Sequence, residues 1–369
     1  MKGKLYRGVS RRSILKQTGA AAVGISLLPA LEACGRGGGA GARVVNFYNW
    51  DTYIGATTLA DFQHTSGVPV HMDLFSTNDE LFAKLRAGNP GYDVVVPSNE
   101  FVTRMSQAQM IQPLDRSKIP NFSNLLPEFQ DAAFDPGRRY SMPYTWLTLG
   151  IGYNKAAVRA KGVQVPNSWS YLFDSDQFSG RISLLSESAD LIRLSAKYLG
   201  HSVNAIPDPM LARIEQMLTR QKPRVKAFHH DDGQDLLVSG EVDLVLEYNG
   251  DIAQIMAQPG GDRFDFVVPQ EGSLLNSDTL CIPTGAPHVA DAHAFINYLL
   301  DAQAGKGITE TILYPTPNRA ARDLMPESYR NNPVIFPPAS VMSKCEYGAF
   351  EGDERARLYE EIFTRISAA

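Results

Sequence analysis

The stretch Val44-Val45-Asn46-Phe47-Tyr48-Asn49-Trp50-Asp51-Thr52-Tyr53 is an apolar run that ends in an aromatic, a carboxylate and another aromatic. Indole and phenol faces attract ammonium groups through the ring quadrupole and cover methylene chains, while an adjacent carboxylate adds a charge-assisted hydrogen bond. Trp50, Asp51 and Tyr53 are therefore candidates to hold an organic cation. Aromatic residues at strand ends also serve packing, and an Asp before a helix also serves as a cap. The triplet alone does not decide between these roles.

In an open α/β sheet the ligand crevice lies outside the carboxyl ends of the strands, so the residues after each apolar run bear on the question. The run 94–97 is followed by Ser98, Asn99 and Glu100, and 182–185 by Glu187 and Asp190. The run 242–246 is followed by Glu247, Tyr248 and Asp251. Any one of these acids could be a first-turn residue that complements a helix dipole. Their recurrence at four exits predicts a negatively lined cleft.

The elements that must position these residues follow from hydrophobic periodicity. Residues 44–48 and 68–74 predict strands around a helix with Leu59 and Phe62 inward, stopped at Gly67. Asn78 is placed to cap the next helix, with Leu81 and Leu85 on one face and Gly88 at its end. Residues 92–97 predict a buried strand, and 100–110 a helix with Phe101, Val102 and Met105 inward. This alternation implies an α/β fold with a parallel sheet covered on both faces. Beyond an apolar crossing stretch at 142–153 lies a second α/β block. Its strands are predicted at 182–185, 225–228, 242–246, 264–269 and 279–283, and its helices at 190–199, 211–218, 289–300 and 354–366. No internal repeat is present.

The N-terminus bears on location. Ser10-Arg11-Arg12-Ser13-Ile14-Leu15-Lys16 matches the twin-arginine export pattern, and the apolar residues 20–31 that follow are too few to span a membrane. Leu31-Glu32-Ala33-Cys34 resembles a lipobox, which implies lipidation of Cys34; Ala40-Gly41-Ala42 offers a competing cleavage site. The reading is a signal peptide over 1–33 and a Gly-rich tether over 34–42, with the protein in the periplasm or lipid-anchored at the outer face of the cell membrane. The residues before Cys34 hold six Lys/Arg and one Glu, so their removal takes the formal net charge from −5 to about −10. Nucleic acid is excluded as a partner on that charge, and membrane contact is confined to the lipid anchor. The remaining length suffices for two cored domains. Cys281 and Cys345 are too few for a disulfide framework; unpaired buried thiols are expected, with a single bridge as the alternative.

Other motifs carry less. In His229-His230-Asp231-Asp232 the histidines would point to opposite faces of a strand, so a strand-to-helix turn with a capping Asp is favoured over a metal site. No zinc spacing of Cys and His appears. Gly305-Lys306-Gly307 lacks the pattern of a phosphate loop, and no Gly-x-Ser-x-Gly elbow is present. A hydrolase reading would rest on Glu187 and Asp190 as an acid pair. Three residues apart at a helix start, they suit one charged ligand group better than two faces of a scissile bond. No catalytic residue, metal or cofactor is expected.

Several segments taken together resemble the spermidine/putrescine-binding proteins of bacterial ABC transporters. They are Phe47-Tyr48-Asn49-Trp50, Asp93-Val94-Val95-Val96-Pro97-Ser98, Ile111-Gln112-Pro113-Leu114-Asp115-Arg116-Ser117-Lys118 and Phe134-Asp135-Pro136. Met142-Pro143-Tyr144, Gly150-Ile151-Gly152-Tyr153-Asn154, Val267-Val268-Pro269-Gln270-Glu271-Gly272 and Tyr314-Pro315-Thr316-Pro317-Asn318 continue the series. The resemblance implies a two-lobed, type II-like periplasmic-binding-protein fold that closes on a ligand in the interlobe cleft by a hinge motion. By analogy one lobe takes 42–148 plus 277–321 and the other 149–276 plus 322–369. The implied function is capture of a polyamine by a monomeric extracytoplasmic protein and its delivery to a membrane permease.

Carried over position by position, the resemblance makes Trp50, Tyr53 and Ser98 ligand contacts, with Asp51 in a Ser/Thr slot and Glu100 where some members place an aromatic. Glu187 and Asp190 correspond to an acidic pair around one amine end. Tyr248 stands in a position usually Trp, Asp251 matches an acid of putrescine binders, and Asp278 matches the acid that grips an amine. Tyr314 matches an aromatic of spermidine binders, whereas Asn276 replaces a Trp or Phe. The site is thus more acidic and less aromatic than the family pattern, which leaves the particular polyamine open. Another organic cation, an amino acid or a ferric ion in the same fold is the alternative. Iron would call for clustered Tyr or His, and an anionic ligand for Arg at the strand exits; neither is evident.

Overall fold

The structure is a computed structural model that describes residues 43–230 and 232–369. The export signal, the lipidation at Cys34 and the Gly-rich tether lie outside the described residues, as does Asp231. The strands are β1 (Val45–Trp50), β2 (Val70–Phe75), β3 (Val94–Val95), β4 (Ile111–Gln112), β5 (Ser141–Asn154) and β6 (Ile182–Leu185). They continue with β7 (Val225–His229), β8 (Leu244–Tyr248), β9 (Phe264–Val267), β10 (Leu274–Pro283) and β11 (Glu346–Tyr347). The main order is β2-β1-β3-β10-β5-β8-β6-β7.

The fold is two-lobed, and β5 carries the chain from one half to the other. Its buried residues pair antiparallel with β10 as far as Thr148, opposite Leu275. From Leu149, opposite Tyr248, it pairs instead with β8, and it also borders β9. The outer strands of each half are parallel, β2-β1-β3 in one and β8-β6-β7 in the other. The parallel pairing expected of the first block holds for β2-β1-β3, but the centre of the sheet is antiparallel: β10 runs antiparallel to β3 and β5, and β5 antiparallel to β8. Two long strands that return through the middle impose that sense, which periodicity within single segments does not report. β10 also starts earlier than the predicted 279–283. Asn276, Ser277 and Asp278 interrupt the apolar pattern, yet all three are buried, at the site.

Several local readings change. Asn78 does not cap its helix: Thr77 accepts from the Glu80 amide, and Asn78 turns instead to Ser98. The predicted strand 92–97 contracts to the two residues of β3. Val102 and Met105 are buried as expected, but Phe101 is half-buried. Gly67 ends its helix in the left-handed region, φ 72°, which favours glycine. Helices at Gly233–Val238, Asn249–Met256 and Ala302–Ile312 were not read from the sequence. The two cysteines are unpaired, Cys281 buried and Cys345 half-buried. Among the described residues, no helix is long and apolar enough to cross a membrane.

Packing on β5 places the site helix Asn249–Met256. A Cβ at Gly150 would stand 2.3 Å from the Phe266 ring, and one at Gly152 would stand 2.4 Å from Ile252. Glycine at both positions lets β9 and that helix lie flush against the crossing strand. Trp169 anchors the same half: it is fully buried, stacks on Phe173 at 5.6 Å and donates Nε1 to the Gly272 carbonyl at 2.8 Å. Trp169→Ala should cost about 3–5 kcal/mol of unfolding free energy, measured by urea denaturation. A loss below about 1 kcal/mol would show that this ring is not a keystone of the half.

Candidate functional site

The strand exits of both halves open into one cavity of about 410 Å³, and all eleven candidate residues line it. Trp50 ends β1 with its ring against Phe75 at 4.3 Å and its Nε1 donating to the Val96 carbonyl at 2.9 Å. The chain then turns through Thr52, whose φ of 52° is unusual for a β-branched residue. Asp51 stays exposed at the rim and accepts the Thr52 amide at 2.9 Å, while Tyr53 turns inward and is buried.

Asp278 is the meeting point of the first half. Its Oδ2 accepts from the Tyr53 hydroxyl at 2.8 Å and its Oδ1 from the Ser98 hydroxyl at 2.6 Å. Asn78 fixes Ser98 from behind, donating Nδ2 to its Oγ and accepting its amide, both at 3.0 Å. Tyr53 is itself held edge-on by Tyr144 and Tyr314, at 5.5 and 5.2 Å between ring centres. Burial pushes the Asp278 carboxyl above its ordinary range, and the two hydroxyls pull it partly back. Both are neutral donors, which leaves the charge of the ionised carboxylate in place.

Asp190 does the same for the second half. It is buried in the first turn of the helix Ser188–Tyr198 and receives long hydrogen bonds, each 3.4 Å, from the Tyr248 hydroxyl and the Asn276 amide. Burial raises its pKa to about 6; the two bonds pull it down and the like charge of Asp278 pushes it up. Asn276, in a slot the resemblance fills with an aromatic, thus acts as a donor to this carboxylate. Asp251 accepts from the Tyr314 hydroxyl at 2.7 Å. A Cβ at Gly250 would stand 2.2 Å from the Tyr314 ring, so glycine makes room for that pair. Glu187 holds the N-cap position of the same helix as Asp190 and faces the cavity.

Glu100 lines the cavity as well, but its carboxylate is paired with Arg193, a side chain only 2% exposed. The reading that Glu100 adds a charge in place of stacking is therefore modified: an arginine already answers that charge. The lining also includes His230, which the sequence places in a strand-to-helix turn, and Asp235, which sequence reasoning misses. The strand-exit rule would have found them, because β7 ends at His229. The two histidines diverge as expected. His229 is buried against Ser183 Oγ at 2.7 Å and Glu247 at 3.3 Å, whereas His230 meets Ser186 at 2.6 Å. Asp232 holds the N-cap position there but makes no side-chain cap bond. No group of three potential metal ligands occurs among the described residues.

Among the described residues, seven carboxylates therefore face this cavity and no lysine or arginine does. Ionised acids brought together under partial desolvation repel one another and favour a neutralising cation. Aromatic edges and faces beside them suit the methylene part of an organic cation.

A two-lobed α/β fold with its site at the strand exits between the halves defines a solute-binding protein. The chain belongs to the bacterial extracellular solute-binding proteins, whose family model matches residues 57–337. It is 34% identical over 323 residues to the spermidine/putrescine-binding periplasmic protein of Escherichia coli, covering 87% of this chain and 91% of that one. It is 33% identical over 339 residues to the putrescine-binding periplasmic protein PotF of the same organism, covering 88% and 92%. Among solved structures it resembles a putative spermidine/putrescine ABC transporter protein from Listeria monocytogenes, with a TM-score of 0.82 and 29% identity over 88% of this chain and 98% of that one.

Asp190 gives the ligand-free protein a pH signature. Its folded pKa of about 6 lies above the ordinary 3.8, so the folded chain binds this proton more tightly than the unfolded one. Stability from this group is lost as the pH rises from about 4 to about 6. Asp190→Asn should therefore gain up to about 3 kcal/mol over wild type between pH 4 and pH 7, read by denaturant unfolding at each pH. A difference that does not change with pH would contradict the assignment.

Proposed function

We propose that this protein is the extracytoplasmic component of an ABC importer that captures a polyamine of the putrescine/spermidine class and presents it to a membrane permease. The observation that carries the reading is a cavity that, among the described residues, faces seven carboxylates and several aromatic rings with no lysine or arginine in its wall. The names of the relatives, which span nearly the whole chain, support the same ligand class. Asp278 and Asp190, one from each half, take the ammonium ends; Trp50, Tyr53, Tyr248 and Tyr314 cover the chain between them. Asp51, Ser98, Glu187 and Asp251 complete the ligand contacts.

Closure follows from the same chemistry. Empty, the two acidic walls gain nothing by approaching; a ligand with separated positive charges makes contact with both only when the lobes meet. A lobe boundary at 148/149 is supported by the exchange of β5 partners between Thr148 and Leu149. The protein acts as a monomeric binder rather than an enzyme, exported by the twin-arginine route and tethered through a lipid on Cys34.

Isothermal titration of the mature protein with putrescine, cadaverine, spermidine and spermine tests the ligand class. At least one should bind, and Asp278→Asn or Trp50→Ala should weaken it roughly tenfold or more while the thermal unfolding transition remains cooperative. Silence toward all four amines, with binding of an amino acid or ferric ion instead, would replace this reading. For the anchor, mass spectrometry of the membrane fraction should find Cys34 as a lipidated N-terminus; an unmodified Cys34 there would exclude it.

A further inference from the structure

Unlike Asp278 and Asp190, which receive hydrogen bonds from neutral groups, Glu100 carries a guanidinium. Glu100 stands in the first turn of the helix Asn99–Gln107, after β3, and Arg193 on the helix Ser188–Tyr198, after β6. The two belong to opposite halves of the fold and meet behind the cavity wall. Arg193 directs Nη1 at Glu100 and Nη2 at the Ala349 carbonyl, 2.6 Å away, with Glu351 at 3.8 Å. The Tyr359 ring lies 5.8 Å from its guanidinium carbon and also neighbours Arg355.

The backbone is shaped around this pair. A Cβ on residue 348 would stand 2.5 Å from Glu100 Oε1 and 2.8 Å from Arg193 Nη1, so Gly348 lets the chain close directly over the two side chains. The Gly348 carbonyl is fixed in turn by Asn99 Nδ2 at 2.7 Å. A guanidinium keeps its proton under these conditions, and burial with its partners removes the water that would screen it. The positive charge is therefore a permanent feature behind the wall, although Arg193 does not itself line the cavity.

We propose that Arg193 is a resident counter-ion of the binding cleft: it occupies through Glu100 the place of one ligand ammonium and so sets how many charges the bound amine carries. The inference rests on the polyamine reading and makes Arg193 a specificity-determining residue that acts from behind the wall. With Arg193 in place, Glu100 offers little net attraction. Without Arg193, the cleft gains one uncompensated carboxylate, and ligands with an additional ammonium benefit most. Without Glu100, the guanidinium is answered only by Glu351, 3.8 Å away and itself held by the Tyr359 hydroxyl, so the remaining positive charge weighs against an incoming ammonium, and the more highly charged ligand loses most.

The test is titration calorimetry with putrescine and spermidine, at one ionic strength, on wild type, Arg193→Gln, Glu100→Gln and the double variant. The ratio of spermidine to putrescine affinity should rise about tenfold or more in Arg193→Gln and fall about threefold or more in Glu100→Gln. In the double variant it should return to within about threefold of wild type. An unchanged ratio in Arg193→Gln, or a double variant that keeps the ratio of Arg193→Gln, overturns the proposal. If Arg193→Gln does not unfold cooperatively, Glu100→Gln decides alone, and a ratio at or above wild type overturns it. A wild-type protein that binds neither amine overturns the polyamine reading and this inference with it. Binding by wild type with ratios that do not follow the pattern overturns the inference alone.

Discussion

Asp278 and Asp190 are buried carboxylates whose hydrogen bonds come from Tyr53, Ser98, Tyr248 and Asn276, all neutral groups. Neutral donors orient a carboxylate and lower the cost of its burial, but they do not cancel its charge. Burying such a group is affordable only where the fold tolerates a proton on it or where a cation arrives from outside. The raised value of Asp190, about 6, reflects that tension. Much of the surrounding architecture is the scaffold needed to keep these two groups close, dry and unpaired with a protein cation.

The scaffold does this with two crossing strands. β10 brings Asn276, Ser277 and Asp278 through the middle of the sheet, and the Ser98–Asp278 bridge ties that strand to the exit of β3. β5 changes partners between Thr148 and Leu149, so the second half of the sheet begins where the site lies. Gly150 makes room for β9, and Gly152 and Gly250 let the helix bearing Asp251 settle close to the strand and to Tyr314. Where a positive charge is present, as at Arg193, it is placed behind the wall and committed to Glu100. The distribution of charge, with acids facing inward and the arginine withheld, makes the cleft electrostatically suited to a cation.

The candidate site was legible because chain topology places strand exits together, and side-chain chemistry at an exit is local. Trp50, Asp51 and Tyr53 could be read that way, as could Ser98, Glu187, Asp190, Tyr248 and Asp251. Asp278 and Tyr314 were reached only through the family resemblance, since polar residues in β10 hide that strand from periodicity. The pairing of Glu100 with Arg193 was not legible at all: the partners are far apart in sequence and lie in different halves. The role of Asn78 was misread for a related reason, because a cap and a tertiary hydrogen bond use the same side-chain atoms and Thr77 supplied the cap. Strand direction depends on long-range pairing, so the antiparallel centre of the sheet escaped a reading built on local pattern.

Burial sets a proton and a cation in competition for the same carboxylates, and Asp190, raised to about 6, is the group at which the two meet near neutral pH. Titration calorimetry of putrescine binding near pH 6, repeated in buffers of different ionisation enthalpy, counts the protons exchanged on binding. Putrescine is fully protonated at that pH, so protons released come from the protein, and net release, largely lost in Asp190→Asn, is the expected result. Binding without proton release, or with proton uptake, would contradict it.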